Sequence, residues 1–231
     1  MNQQQPSDLE KKLKLKFKQT RLLKQSLIHR SYLNESRGDQ LQSNERLEFL
    51  GDAILSFCIS EKLYRQFPNY PEGDLTNIRS NLVKTTSLAA IASQLKLGSY
   101  LNLSHGEDDS GGRTNTSILA DSLEALIGAI FLDTGLESVH RFINTYFDPK
   151  LAELIQSGSF KDSKSLLQEK VQANNNNPPP TYQTLKEEGP DHQKTFTVGV
   201  FLNQKLLATA KGKNKREAEE AAAGKALTKK R

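Results

Sequence analysis

At 231 residues the chain has room for one large domain or two ordinary ones. Apolar side chains make up 35% and charged ones 26%, too little apolar material for one compact core and suited to globular domains joined by solvated stretches. A single cysteine, Cys58, excludes an internal disulfide framework and a four-cysteine zinc site. It lies in an apolar helical stretch, where it reads as core packing.

The net charge of +5 is unevenly placed. Residues 1–160 carry 18 basic and 19 acidic side chains, whereas residues 161–231 carry 14 and 8, a net +6. The second part therefore points to a polyanionic partner. The longest apolar run, 118–132, is 15 residues interrupted by Asp121 and Glu124, too short to span a bilayer. The first residues lack the apolar stretch of a secretory signal, so a cytoplasmic protein is expected, with no membrane partner.

In chain order, residues 1–7 read as a disordered, Gln-rich tail. Apolar residues three and four apart then predict helices over about 9–33, 44–67, 75–97, 117–132 and 136–156. Turn-rich stretches at 35–43, 68–73 and 104–115 separate them. The run Ser157-Gly158-Ser159 reads as a linker, giving a first domain over 8–156, a linker over 157–161 and a second domain over 162–231. A short helix over about 162–174 stops at Asn174–Asn177 and Pro178–Pro180. Strands follow at 181–187, 194–202 and 205–211, with Asn203-Gln204 as the last turn, and an Ala-rich helix closes the chain at 214–229. The fold class is thus an all-α domain followed by a small α-β-β-β-α domain.

Two helices carry unusual charge. Glu45, Glu48 and Asp52 are spaced i, i+3, i+7, which puts them on a strip about 60° wide. Leu47, Phe49, Leu50, Ala53, Ile54, Leu55 and Phe57 occupy most of the rest, so this helix should be buried nearly all round. The run 118–132 carries only Asp121 and Glu124, again i, i+3. A carboxylate stripe is usually a solvated face, but these stripes are narrow and have no Lys or Arg at i+4. Grouped carboxylates in apolar surroundings cost several kcal/mol each unless compensated, and a divalent cation is the natural compensation. His29, His105 and His140 show no zinc-binding spacing, and neither a P-loop, a dinucleotide fingerprint nor a nucleophile elbow is present. Metal-assisted phosphoryl chemistry is the enzyme class left in front.

The segment Asn44-Glu-Arg-Leu-Glu-Phe-Leu-Gly-Asp52 resembles the signature of the ribonuclease III family. So do His29-Arg-Ser-Tyr-Leu-Asn-Glu35, Glu72-Gly-Asp-Leu-Thr76 with Arg79, and Ser117-Ile-Leu-Ala-Asp-Ser-Leu-Glu-Ala-Leu-Ile-Gly128. The resemblance implies an Mg²⁺-dependent endoribonuclease that cuts both strands of double-stranded RNA, leaving 5′-phosphate and 3′-hydroxyl ends, with a role in maturing ribosomal RNA precursors and other structured RNAs. It implies metal ligation by Glu48, Asp121 and Glu124, catalytic roles for Asp52 and Glu124, and supporting carboxylates at Glu45, Asp52 and Glu72. Glu72, in a turn beside Gly73, comes from the resemblance alone. In such a site a metal ion lowers the pKa of its water and a second steadies the leaving 3′ oxygen. The family also dimerises through this domain, and Phe49 matches its interface phenylalanine; a core position within one subunit is the alternative. Ser104, where a glycine is expected, and Asn77, where a basic residue is common, depart from the pattern.

In the closing helix Lys213, Lys215 and Arg216 sit at the amino end, where cations oppose the helix dipole; a bound phosphate reverses the sign. The α-β-β-β-α order, Gly189-Pro-Asp-His-Gln-Lys-Thr-Phe196 and Gly212-Lys-Asn-Lys-Arg-Glu-Ala-Glu219 resemble a double-stranded RNA-binding domain. By that resemblance Gln168, Glu169 and Gln172 meet one minor groove, His192 meets the next, and Lys213, Lys215 and Arg216 take the phosphates between. The expected partners are double-stranded RNA and a second copy of the chain. The rival function is a protein that binds duplex RNA without cutting it, and six acidic positions out of six favour the enzyme.

Overall fold

The computed structural model describes residues 5–35, 41–173, 177–190 and 193–228. The chain divides into two compact units between Ser157 and Gly158.

The first unit is helical. Helix α1 (Pro6–Leu13) starts on a proline, whose fixed φ and missing N–H suit a first turn. Helix therefore replaces part of the tail expected over 1–7. The single helix expected over 9–33 is three, with α2 (Thr20–Ser26) and α3 (Arg30–Leu33) following α1. Lys14 stops α1 in the left-handed region at φ 51. The connector after it is held by the buried Asp133 carboxylate, which accepts the backbone N–H groups of Lys18 and Gln19 at 2.7 Å each. Between α2 and α3, Ile28 forms a parallel bridge with Asn102.

Two long helices make the centre: α4 (Glu45–Gln66) and, later in the chain, the helix at Thr116–Thr134. Between them come α5 (Glu72–Val83), α6 (Thr85–Gln94) and the short α7 (His105–Asp109), so the later long helix is α8. The helix expected over 75–97 breaks at Lys84, which is extended at ψ 148. The turn-rich stretch before α8 is organised by Arg113. Its guanidinium donates twice to Asp108 at 2.8 Å and twice to the carbonyls of Gly98 and Leu101 at 2.9 Å. Asn115 then caps α8 by accepting the N–H groups of Ser117 and Ile118. After α8, the helix expected over 136–156 is split into α9 (Leu136–Tyr146) and α10 (Asp148–Ser157), because Pro149 cannot donate into a continuous helix.

Helix α4 is not buried nearly all round, as its composition suggested. Leu47, Gly51, Leu55, Cys58, Ile59 and Leu63 are buried, while Phe49, Phe57 and Tyr64 are 81%, 54% and 75% exposed. Composition sets how apolar a helix is; the number of neighbours available in one chain sets how much of it can be covered.

The second unit comprises α11 (Ser163–Gln172), β1 (Thr181–Glu188), β2 (Thr195–Leu202), β3 (Lys205–Gly212) and α12 (Lys215–Thr228). The strands form an antiparallel sheet in sequence order. Asn203 and Gln204 both have positive φ, 49 and 65, the backbone of a turn whose twist suits a two-residue hairpin. Leu167 and Val171 of α11 pack with Val200, Ala210, Ala222 and Ala223 in the core. Within the expected linker Phe160 is buried. No helix among the described residues is long and apolar enough to cross a membrane.

Candidate active site and nucleic-acid interface

Helices α4 and α8 touch backbone to backbone where they cross. A Cβ on Gly51 would lie 1.8 Å from the Glu124 carbonyl oxygen, and one on Gly128 would lie 2.3 Å from that of Leu47. No other residue type fits either place. This crossing carries the acidic strip of α4 onto that of α8, and carboxylate oxygens of Glu48, Asp121 and Glu124 come within 4.8 Å of one another.

The electrostatics follow from that proximity. Burial pushes Glu124 up to about 8, reinforced by the charges of Asp52, Asp121 and Glu48. Glu48 is raised by burial first, then by Asp121, Glu45 and Asp52, against a lowering by Arg30. Asp121 is raised by burial and lowered by His29 and Arg30. A group of three part-buried carboxylates that resist ionising together, offering oxygen donors only, fits a hard divalent cation such as Mg²⁺. Spacing marked five carboxylates, Glu45, Glu48, Asp52, Asp121 and Glu124, and the fold brings three of them into one group, the three that the resemblance implied as ligands. Asp52, exposed, sits beside Glu124 and Glu48 through its charge, and Glu45 beside Glu48.

Glu72 is not brought into this group. It opens α5 rather than lying in a turn, is exposed, and accepts a hydrogen bond from the Thr76 hydroxyl at 2.8 Å. Conversely, sequence spacing missed Arg30. The Asn44 N–H donates to the Ile28 carbonyl at 2.8 Å, which lays the 28–30 segment across the start of α4. Arg30 there reaches Glu45 at 3.7 Å and reduces the field on Glu48 and Asp121. No helical periodicity links positions 30 and 45. Ser104 fills its glycine-like place without strain: φ is −62, and its hydroxyl caps α7 by accepting the Glu107 N–H. Its own N–H donates to Ser31, whose hydroxyl is bonded to His29. The Asn77 carbonyl accepts from the Asn81 side chain.

In the second unit Gln168, Glu169 and Gln172 are exposed on α11. Gln168 donates to Gln172 at 3.3 Å, and Glu169 is held by Lys161 at 2.5 and 2.7 Å. Asn214 caps α12 by accepting the Glu217 N–H, while the Glu217 carboxylate accepts the Lys213 N–H. Lys213 and Arg216 are exposed. Lys215 is more engaged than the sequence suggested: its ammonium pairs with Glu187 at 3.2 Å and lies 5.6 Å from the Phe196 ring centre. His192 lies outside the described residues.

The sequence model of the Ribonuclease-III-like family matches residues 19–151, and that of the double-stranded RNA binding motif matches residues 163–230. The chain belongs to the ribonuclease III family. Among its ribonuclease III relatives, Ribonuclease 3 of Carboxydothermus hydrogenoformans is 44% identical over 227 residues, covering 98% of this chain and 96% of that one. Ribonuclease 3 of Syntrophobacter fumaroxidans is 46% identical over 230 residues, covering 96% and 95%. The solved nuclease domain of ribonuclease III from Campylobacter jejuni is 40% identical and superposes with a TM-score of 0.57, covering 62% of this chain and 99% of that domain. That protein is described as structurally flexible in a region involved in dimer formation. The ribonuclease III match spans both α4 and α8, so the carboxylate group lies wholly within it.

Proposed function

We propose that this ribonuclease III family member is an Mg²⁺-dependent endoribonuclease that cleaves both strands of double-stranded RNA and leaves 5′-phosphate and 3′-hydroxyl ends. The observation that carries the reading is the group formed by Glu48, Asp121 and Glu124, on a chain that also matches the double-stranded RNA binding motif.

Glu48, Asp121 and Glu124 would hold the metal. When bound, the ion supplies Lewis acidity toward the phosphodiester and its attacking water. The chain supplies the arrangement. Asp52, exposed beside Glu124, is assigned to orient the water, and Glu45 keeps Arg30 at the mouth of the site. Glu72 keeps its supporting role on resemblance alone. The apolar stripe of Phe49, Phe57 and Tyr64 supports a homodimer built on α4, with Phe49 in the interface and two sites that each cut one strand. Its exposure of 81% speaks against Phe49 as core within one subunit. In the second unit Gln168, Glu169 and Gln172 are assigned to a minor groove and Lys213, Lys215 and Arg216 to phosphates. Maturation of ribosomal RNA precursors and other structured RNAs, in the cytoplasm, completes the proposal.

The test is one incubation series. Purified protein with long duplex RNA and Mg²⁺ should give short duplex fragments, while chelation should leave the RNA bound and intact. Duplex retained uncut in saturating Mg²⁺ would instead make the chain a duplex-binding protein.

A further inference from the structure

The carboxylates of α12 hold the amino end of α11. Glu220 accepts the Ser163 backbone N–H, and Glu219 pairs with the Lys164 ammonium at 2.6 Å. That ammonium also stands 4.7 Å from the centre of the Tyr182 ring on β1. At the other end of α11, Lys170 donates to the Leu227 carbonyl at 3.2 Å. A cleft of about 990 Å³ lies along this seam, lined by Lys164 and Gln168 from α11 and by Arg216, Glu217, Glu219 and Glu220 from α12.

These glutamates have the wrong charge for a surface assigned to phosphates. Gln168 and Arg216, two residues assigned to duplex RNA, share the cleft wall with them. The acidic field there is strong enough that Glu220, Glu219 and Asp162 add to burial in pushing the Tyr182 hydroxyl up to about 12. A carboxylate near a polyanion weakens binding through its charge. Geometry offers the compensation. A domain that bridges two minor grooves and the phosphates between them must hold its contact elements at fixed separation. Here core packing of Leu167 and Val171 with Ala222 and Ala223 joins the two helices, and the contacts of Glu219 and Glu220 pin the amino end of α11 against the first half of α12.

We propose that Glu219 and Glu220 are positioning residues for duplex RNA: they fix Gln168 and Gln172 at the distance from Lys213 and Arg216 that the duplex requires, and this outweighs their charge. The proposal rests on the double-stranded RNA reading above. Two variants separate geometry from charge. Glu220→Asp keeps the charge and withdraws the acceptor from the Ser163 N–H; Glu220→Gln keeps the acceptor and removes the charge.

Full-length protein is titrated, in buffer free of divalent cations, with hairpins whose stems are about 16 and about 8 base pairs, long enough for both groove contacts or only one. Loss of a well-placed hydrogen bond to a charged group predicts that Glu220→Asp binds the long stem about tenfold more weakly and the short stem nearly unchanged. Glu220→Gln should bind the long stem at least as tightly as the parent. Melting curves establish that each variant is folded at the assay temperature, and Glu219→Asp against Glu219→Gln repeats the comparison if Glu220→Asp is not. An unchanged long-stem affinity for the Asp variant, an equal loss on both stems, or a Gln variant as weak as the Asp variant overturns the proposal. Failure of the parent to bind either stem overturns the duplex-RNA reading itself.

Discussion

Glu124 shows what one residue of the site costs and supplies. Its carboxyl holds a proton far more tightly than the ordinary value of 4.5, up to about 8, because of burial and then of three neighbouring carboxylates. A group whose folded pKa is raised stabilises the fold while protonated in both states and loses that contribution as the pH climbs from 4.5 toward 8. Metal-free protein should therefore melt at progressively lower temperature across that window and level off above it. Glu124→Gln should flatten the profile and raise the melting temperature at pH above 8. The same variant should bind duplex RNA as the parent does, yet lose at least about 10²-fold in cleavage, since its neutral amide is a poor metal ligand. Parental cleavage rates in saturating Mg²⁺ would remove Glu124 from the ligand set.

At the level of elements, the crossing of α4 and α8 depends on two missing side chains. Gly51→Ala places a methyl carbon against the Glu124 backbone, where neither helix can yield without moving Glu48 or Glu124. We expect a loss of about 1–3 kcal/mol, the range for overpacked interiors, together with a weaker response of melting temperature to Mg²⁺. Unchanged stability and Mg²⁺ response would show that the crossing can relax. Helix α12 gives the opposite case. Lys213 and Arg216 are exposed beside an end of the helix dipole that disfavours them. Replacing both by Ala should leave the melting temperature unchanged or slightly higher. Affinity for duplex RNA should fall, and its salt slope should flatten by roughly 0.9 per lost phosphate contact, using the B-DNA figure as a guide. A lower melting temperature with an unaltered slope would assign these residues to the fold. Lys215 is excluded from the pair because its contacts with Glu187 and Phe196 serve the domain.

These helices also show what was readable in advance. Periodicity found the strips of Glu45, Glu48 and Asp52 and of Asp121 and Glu124, because residues three apart share a face wherever the helix goes; that Glu48, Asp121 and Glu124 meet depends on the crossing, and only the resemblance pointed to it. It could not find Arg30, which meets Glu45 because the Asn44 N–H bonds the Ile28 carbonyl and Ile28 bridges Asn102, contacts that no helical period contains. Nor could it see the breaks at Lys14 and Lys84, where the backbone turns without glycine or proline to announce it. The strands and the Asn203-Gln204 turn were legible, being local; the amide-to-carboxylate seam between α11 and α12 was not.

For the whole molecule, the distribution of charge separates affinity from chemistry. Protein ending at Ser157 lacks the segment carrying +6. It should still cut duplex RNA at low salt or high Mg²⁺, and lose most of its activity at about 150 mM salt, where phosphate contacts govern occupancy. Equal cleavage by the truncated and full-length proteins at that salt would show that the second unit is not the affinity module.

The bare stripe on α4 has a further consequence, and it concerns dilution. Phe49, Phe57 and Tyr64 stand on the same rigid helix as Glu48 and Asp52. In the homodimer proposed above, the second copy covers the stripe and holds the helix from which the site hangs, so the quantity of protein present enters the state of the site by mass action. A chain kept scarce would spend part of its time as a single copy, with a wet aromatic ridge and one unsupported side to its acidic strip. On that proposal abundance is a control: the balance between nicked and fully severed duplex would report how crowded the protein is.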